Sequence, residues 1–281
     1  MAVMLLLSYL PSQAQRQLWT VGTANTMSKG DIRLGIAQPS AYGLSNSLEL
    51  AAGGFYFPLA PNVALKKQWI KTKNLSLASR HAATYPGPLL RSISDLSYFN
   101  YFPDKNIIPD ALGVKSEIIL SLGFGYTTCP AFTSETFNRN NTFKGHTGIL
   151  SFKLGAQTGF PLGDIPFPII EEAVIHPQTA FFNEQISAYA GIDWDGRLLK
   201  YSDIKVDLDY TYLNTDSWAL EHKTQVNWYH GWRYFHFLFG YYASYVQGPT
   251  RSFFFIGPVI DFMWTLRKDK IQKGLFKEKM F

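Results

Sequence analysis

The chain has 281 residues, enough for one large β domain or two smaller ones, and its 16% aromatic and 17% charged content is unusual for a soluble enzyme. It holds no run of eighteen or more apolar residues, which excludes a helical membrane protein, and its single cysteine, Cys129, excludes an internal disulfide or a cysteine-based metal cluster. The net charge of +5 is concentrated in 267–281, where six basic and two acidic residues carry +4; the +1 left for the rest offers no basic face to nucleic acid.

At the N-terminus, 2–10 are apolar, Pro11 interrupts them, and Ser12-Gln13-Ala14 supplies the small residues of a signal-peptidase site. This predicts an export signal over 1–14, although the usual basic residue at its start is missing. The first strand is expected at 31–38, with Ile32, Leu34 and Ile36 on one face and Arg33 on the other; 39–46 reads as a turn. Strands follow at 47–57, with Glu49 inward, at 62–70, with Lys66, and at 75–85, with Arg80.

Residues 86–113 form a first long insertion with four prolines, in which Leu89, Leu90 and Ile93 fit a short helix as well as a strand. Strand patterning returns at 115–127, where Glu117 opposes Ile118, Leu120 and Leu122, and at 147–158, where Lys153 opposes Phe152 and Leu154; 129–145 between them reads as loop. A second insertion, 159–184, also has four prolines, and a strand at 185–195 carries Asp193 opposite Ile192 and Trp194 before an Asp195-Gly196 turn signal.

The strongest pattern is 202–266, four strands in succession at 202–213, 218–229, 234–245 and 253–266. In the first, Ile204, Val206, Leu208, Tyr210 and Tyr212 share one face while Lys205, Asp207 and Asp209 share the other; Glu221 and Lys223 continue the polar face, and His222 and Thr224 interrupt the apolar one. Strands of about 11 to 13 residues exceed the five or six common in soluble sheets and match a tilted bilayer crossing. Short connections and aromatic residues near strand ends point the same way. The expected fold is all-β: a transmembrane antiparallel up-and-down β-barrel of about twelve strands spanning 15–266, with a basic tail at 267–281. Eleven strands are identified, and the twelfth is expected in 18–26 or 89–101. A soluble β-sandwich is the competing architecture.

The polar faces collect Arg33, Glu49, Lys66, Arg80, Glu117, Lys153, Asp193, Lys205, Asp207, Asp209, Glu221 and Lys223, six basic and six acidic. Such a set suits an interior in which charges pair across strands, either lining a solute-selective pore or filling a narrow barrel. Asp203, Asp207 and Asp209 sit beside Lys205 and lack the further oxygen ligands of a calcium loop, so no metal or other cofactor is expected. There is no G-x-S-x-G, no HExxH and no His-x-Ser pair along a strand, and no enzymatic activity is expected. Asn140-Asn141-Thr142 matches a glycosylation triplet too short to carry weight.

The blocks Asp31-Ile32-Arg33-Leu34-Gly35, Tyr42-Gly43-Leu44, Leu48-Glu49-Leu50, Pro61-Asn62, Tyr85-Pro86-Gly87-Pro88-Leu89-Leu90, Gly191-Ile192-Asp193-Trp194-Asp195-Gly196 and Glu221-His222-Lys223 resemble recurring blocks of uncharacterised outer-membrane β-barrels of Bacteroidota, as does Gln13-Ala14-Gln15 at the signal end. The resemblance covers most of the mature chain and implies a barrel in contact with outer-membrane lipids, with no known activity. It departs from such barrels after Trp264, where fifteen or so residues follow the last strand instead of a terminal aromatic assembly signal. Porin-like passage of small solutes is the expected function; the alternative is a non-conducting accessory barrel that docks a protein partner through the insertions or the tail.

Overall fold

The computed structural model describes residues 20–54, 57–58, 60–72, 74–94, 110–130, 142–162, 186–199, 202–213, 218–228, 235–247 and 252–266. The expected signal at 1–14, the tail at 267–281 and most of both insertions lie outside them. The wall consists of β1 (Ile32–Gly35), β2 (Ser40–Ser45), β3 (Leu48–Ala52), β4 (Asn62–Lys71), β5 (Leu75–Thr84), β6 (Ala111–Pro130), β7 (Thr142–Pro161), β8 (Ile186–Leu199), β9 (Ser202–Leu213), β10 (Trp218–Trp228), β11 (Phe235–Gln247) and β12 (Ser252–Leu266), with one helix, α1 (Gly87–Ser94), between β5 and β6.

Each strand pairs antiparallel with its sequence neighbours, and β1 closes on β12 through Ile32 opposite Leu266 and Leu34 opposite Trp264. Closure leaves no unpaired edge and excludes the two-sheet sandwich. The wall is uneven: β1, β2 and β3 have 4, 6 and 5 residues, whereas β6 and β7 have 20 each.

Several expected boundaries shift, each because pairing overrides a local signal. The twelfth strand is β2, inside the segment read as a turn: the backbone of Ser40–Ser45 completes ladders with β1 and β3, and Gly43 needs no side-chain pattern to do so. Residues 20–26 are not in the wall. Leu89, Leu90 and Ile93 fall in α1, so helical spacing prevails there. β6 and β7 extend into the expected loop, Cys129 standing opposite Phe143, and Asp195-Gly196 does not turn, because the β8–β9 ladder continues to Leu199 opposite Ser202.

The outer face is apolar on nearly every strand: Leu34, Tyr42, Leu50, Leu65, Ile118, Leu154, Ile192, Leu208, Leu220, Phe239 and Ile256 are all exposed, Leu154 at 67%. The alternate positions turn inward, where Glu49, Gln68, Glu117, Ser151, Asp193, Gln225, His236 and Asp261 are buried. The core is thus polar, with a small apolar cluster of Ala24, Ala78 and Ile119.

The β1–β2 turn also enters the interior. Asp261 on β12 accepts hydrogen bonds from the backbone amides of Ala37 and Gln38, both at 2.8 Å, and Gln38 donates to Gln225 of β10 at 3.3 Å. A carboxylate bonded to two amides uses the acceptors that only the ionised form offers in full. Asp261→Asn, which would place an N–H₂ against an amide, is expected to destabilise the barrel by about 1.5–3 kcal/mol in denaturant unfolding; an unchanged midpoint would remove the turn from the list of interior supports.

Candidate functional site

In an up-and-down barrel, connections after odd strands emerge at one end and those after even strands at the other. The 85–110 and 162–185 connections, following β5 and β7, therefore share one end, here termed the upper end, while the chain enters β1 at the lower end.

Residues 20–31 do not approach β1 from outside. They run within the wall and are held on several sides. Thr26 donates to the Asn46 carbonyl at 3.0 Å and the Met27 amide to Glu49 at 2.9 Å. The Ala24 amide donates to Ser121 on β6 at 2.8 Å, and Gln68 on β4 donates to the Ala24 carbonyl at 3.0 Å. Lys66 donates to the Thr20 carbonyl, Arg33 to the Thr20 hydroxyl at 2.5 Å, and Lys205 on β9 to the Val21 carbonyl at 3.3 Å. Gly22 has φ +77° and faces the Asp193 carboxylate and the Lys205 ammonium, where a Cβ would collide with both. This segment, rather than the insertions, fills the lower lumen among the described residues.

Above it lies a cavity of about 570 Å³ that reaches toward the upper end, floored by Thr20, Val21 and Gly22 and flanked by the β1–β2 turn. All twelve charged residues collected from the polar faces border it: Arg33, Glu49, Lys66, Arg80, Glu117, Lys153, Asp193, Lys205, Asp207, Asp209, Glu221 and Lys223. Glu49 serves Lys66 at 3.4 Å and Arg33 at 3.9 Å; Arg80 meets Glu117 at 3.2 Å. Lys153 bridges Asp193 at 2.7 Å and Asp209 at 2.9 Å, and Lys205 lies 3.3 Å from Asp207 and 3.9 Å from Asp193. Gly191 lies between the Lys153 and Asp209 side chains, where any Cβ would obstruct their pairing. Lys223 stands opposite Asp207 in register.

Sequence reasoning passed over several interior groups. Lys115 has the parity of Glu117 and places its ammonium 3.8 Å from the Tyr189 ring centre; Tyr189 donates to Glu117, and Tyr242 donates to Glu221. Asp195, Asp203 and Asp261 are also buried. Strand parity could have found all of these: Lys115, Tyr189, Asp195 and Asp203 share a face with a chosen residue of their own strand, and Tyr242 and Asp261 lie opposite the apolar face of theirs.

Among the described residues, two histidines interrupt the apolar outer face. His222 lies 3.0 Å from the Tyr241 hydroxyl and 2.9 Å from Thr224. His81 Nδ1 and Ser116 Oγ, directly opposite one another across β5 and β6, lie 2.7 Å apart. That is a base beside a hydroxyl, paired across strands and so invisible to a search along one strand. Among the described residues no carboxylate or amide bonds the other His81 nitrogen, and a dyad without an orienting third group is a weak nucleophile system. Purified barrel and its Ser116→Ala variant are expected to release fatty acid from phospholipid vesicles at the same background rate; a rate that Ser116→Ala abolishes would make the barrel a lipid hydrolase.

At the upper end the first insertion is tied down. Asp110 accepts from the Tyr85 hydroxyl and from Arg91 of α1, so the helix is clasped to the start of β6. The Tyr85 hydrogen bond foremost, aided by Arg91, holds the Asp110 carboxyl below its ordinary value. A carboxyl lowered in the folded state contributes stability above the unfolded value of about 3.9, which is lost as pH falls through the folded one. Amide exchange in α1 is thus expected to accelerate only below about pH 4; acceleration near neutral pH would exclude the clasp.

Glu49 joins two wall cations to the inner segment. Glu49→Gln leaves Arg33 and Lys66 buried without their carboxylate, a change that costs about 3–5 kcal/mol in comparable pairs. It is expected to lower stability and to open 20–31 to protease in otherwise folded barrel.

The sequence matches no protein-family model and no curated protein. Among solved structures, a chain described as "KdgM porin in complex with disordered oligogalacturonate" has a similar fold, with a TM-score of 0.40 and 8% identity over 84% of this chain and 97% of that one. The likeness is confined to the fold.

Proposed function

We propose that the chain is an exported integral outer-membrane β-barrel of the Bacteroidota type that passes small polar solutes in a porin-like manner, with 20–31 as a gate in the lumen. The observation that carries this reading is the cavity of about 570 Å³ whose floor is the inner segment and not the wall. A floor held by hydrogen bonds between polar groups can be exchanged for water or solute one contact at a time, unlike a packed apolar core.

The membrane part of the reading is supported by the outward face. Soluble monomers rarely expose contiguous apolar patches beyond a few hundred Å², whereas here exposed Leu, Ile, Phe, Tyr and Trp side chains encircle the barrel. Lipid tails are the surroundings such a belt suits. By the rule that short turns face the periplasm and long loops the exterior, the cavity opens outward and the inner segment closes the periplasmic side. Ile192→Lys, at mid-strand on the outer face, is expected to cost about 2–4 kcal/mol in urea unfolding from vesicles; a neutral outcome, or a mature chain soluble without detergent, would sink the membrane reading.

The second reading, a non-conducting barrel that docks a protein partner, is favoured by the same segment, which is anchored to strands all round the wall. The two separate in planar bilayers. Ala24 and Ser121, already in contact at 2.8 Å, are replaced by cysteines in a Cys129→Ser background. Passage through the lumen predicts stepwise conductance that oxidation abolishes and reduction restores. Well-folded protein silent in both states would favour the docking barrel, and conductance indifferent to oxidation would deny the segment its gating role.

A further inference from the structure

The charges round the cavity are nearly balanced in number but not in position. Among the described residues, the side chains that border it from β1 to β7 carry five positive and two negative charges, and those from β8 to β11 carry two positive and four negative. One arc is thus net cationic and the facing arc net anionic, which sets up a field across the lumen.

Most of these charges are consumed in ion pairs. Lys115 on the cationic arc and Glu221 on the anionic arc are not: among the described residues neither has an oppositely charged group within ion-pair distance. The Lys115 ammonium rests on the face of Tyr189, and Glu221 accepts a hydrogen bond from Tyr242. Both border the cavity above its floor, on strands four apart in the ring of twelve. Each aromatic ring positions a charged tip while leaving donors or acceptors of that tip available to a solute.

We propose that this vestibule recognises zwitterionic solutes, specifically short peptides with free termini, with Lys115 taking the terminal carboxylate and Glu221 the terminal ammonium. This rests on the reading of the barrel as one that admits solutes. An anion would gain on the Lys115 arc and be repelled by the Glu221 arc, a cation would meet the reverse, and a neutral sugar would gain from neither. A molecule carrying both charges apart is matched by the field and keeps each ion paired as it leaves water. The volume lies within the roughly 300–1,000 Å³ of sites for ligands of that size.

The test is calorimetry on the full mature chain, folded in detergent and checked by heat-modifiable migration, with trialanine, N-acetyl-trialanine and trialanine amide as probes. Free trialanine is expected to bind at least about tenfold more tightly than either capped form, the loss of one charge-assisted contact. Lys115→Gln should bring trialanine down to the affinity of its amide and leave the amide unchanged. Glu221→Gln should do the same with respect to the N-acetyl form. The exchange Lys115→Glu with Glu221→Lys should recover discrimination, with the peptide reversed. Equal affinity for all three probes, no heat from any of them with folded protein, or discrimination that survives both single variants would overturn the proposal. Because calorimetry needs no passage, conductance without discrimination would sink peptide recognition alone, and discrimination without conductance would sink the passage reading alone.

Discussion

Inside a closed wall of backbone, a charged side chain gives up most of its contact with bulk water, so much of its counter-charge is supplied within the same lumen. Glu49 answers Lys66 and Arg33, Lys153 answers Asp193 and Asp209, and Glu117 answers Arg80. Backbone adds to this pairing: Lys66 and Lys205 also reach carbonyls of the inner segment, and Asp261 receives amides of the β1–β2 turn. The two pieces of chain inside the barrel are therefore part of its electrostatic balance. They add hydrogen bonds to wall charges that the carboxylates and ammonium groups of the wall do not fully saturate.

That balance gives the two ends of the lumen different characters. The lower part is closed by direct contact between the wall and 20–31, whereas the upper part keeps a cavity bordered by charges, tyrosines and Pro86 at the start of an insertion. An apolar belt outside and an ion-paired interior are two consequences of one alternation. Polar groups enter the belt at β5, where His81 pairs with Ser116 and Trp69 donates to Ser79. Lys115 and Glu221 border the cavity without an ion-pair partner among the described residues.

How far this could be read beforehand depended on how local the signal was. Lys205, Asp207 and Asp209 alternate with Val206, Leu208 and Tyr210 on one uninterrupted strand, and period two alone assigns their common face. β2 carries only a short version of that pattern: Tyr42 and Leu44 point outward while Ala41 and Gly43 point inward, too brief a run beside Pro39 to stand out until β1 and β3 supply ladders on both sides. Asp195-Gly196 has the local chemistry of a turn and remains extended because β9 pairs past it. The His81–Ser116 pair joins residues 35 apart in sequence, beyond what spacing along one strand can reveal.

The sequence by itself determined the class of fold, the parity of most strands and the near equality of interior charge, because these follow from side-chain alternation and from the cost of burying ions. Only the tertiary structure decided which charge meets which, that 20–31 lie within the barrel, and that Lys115 and Glu221 are left to face the cavity. Those outcomes depend on ring closure and on the stagger of twelve strands, which bring together groups that no local sequence interval relates.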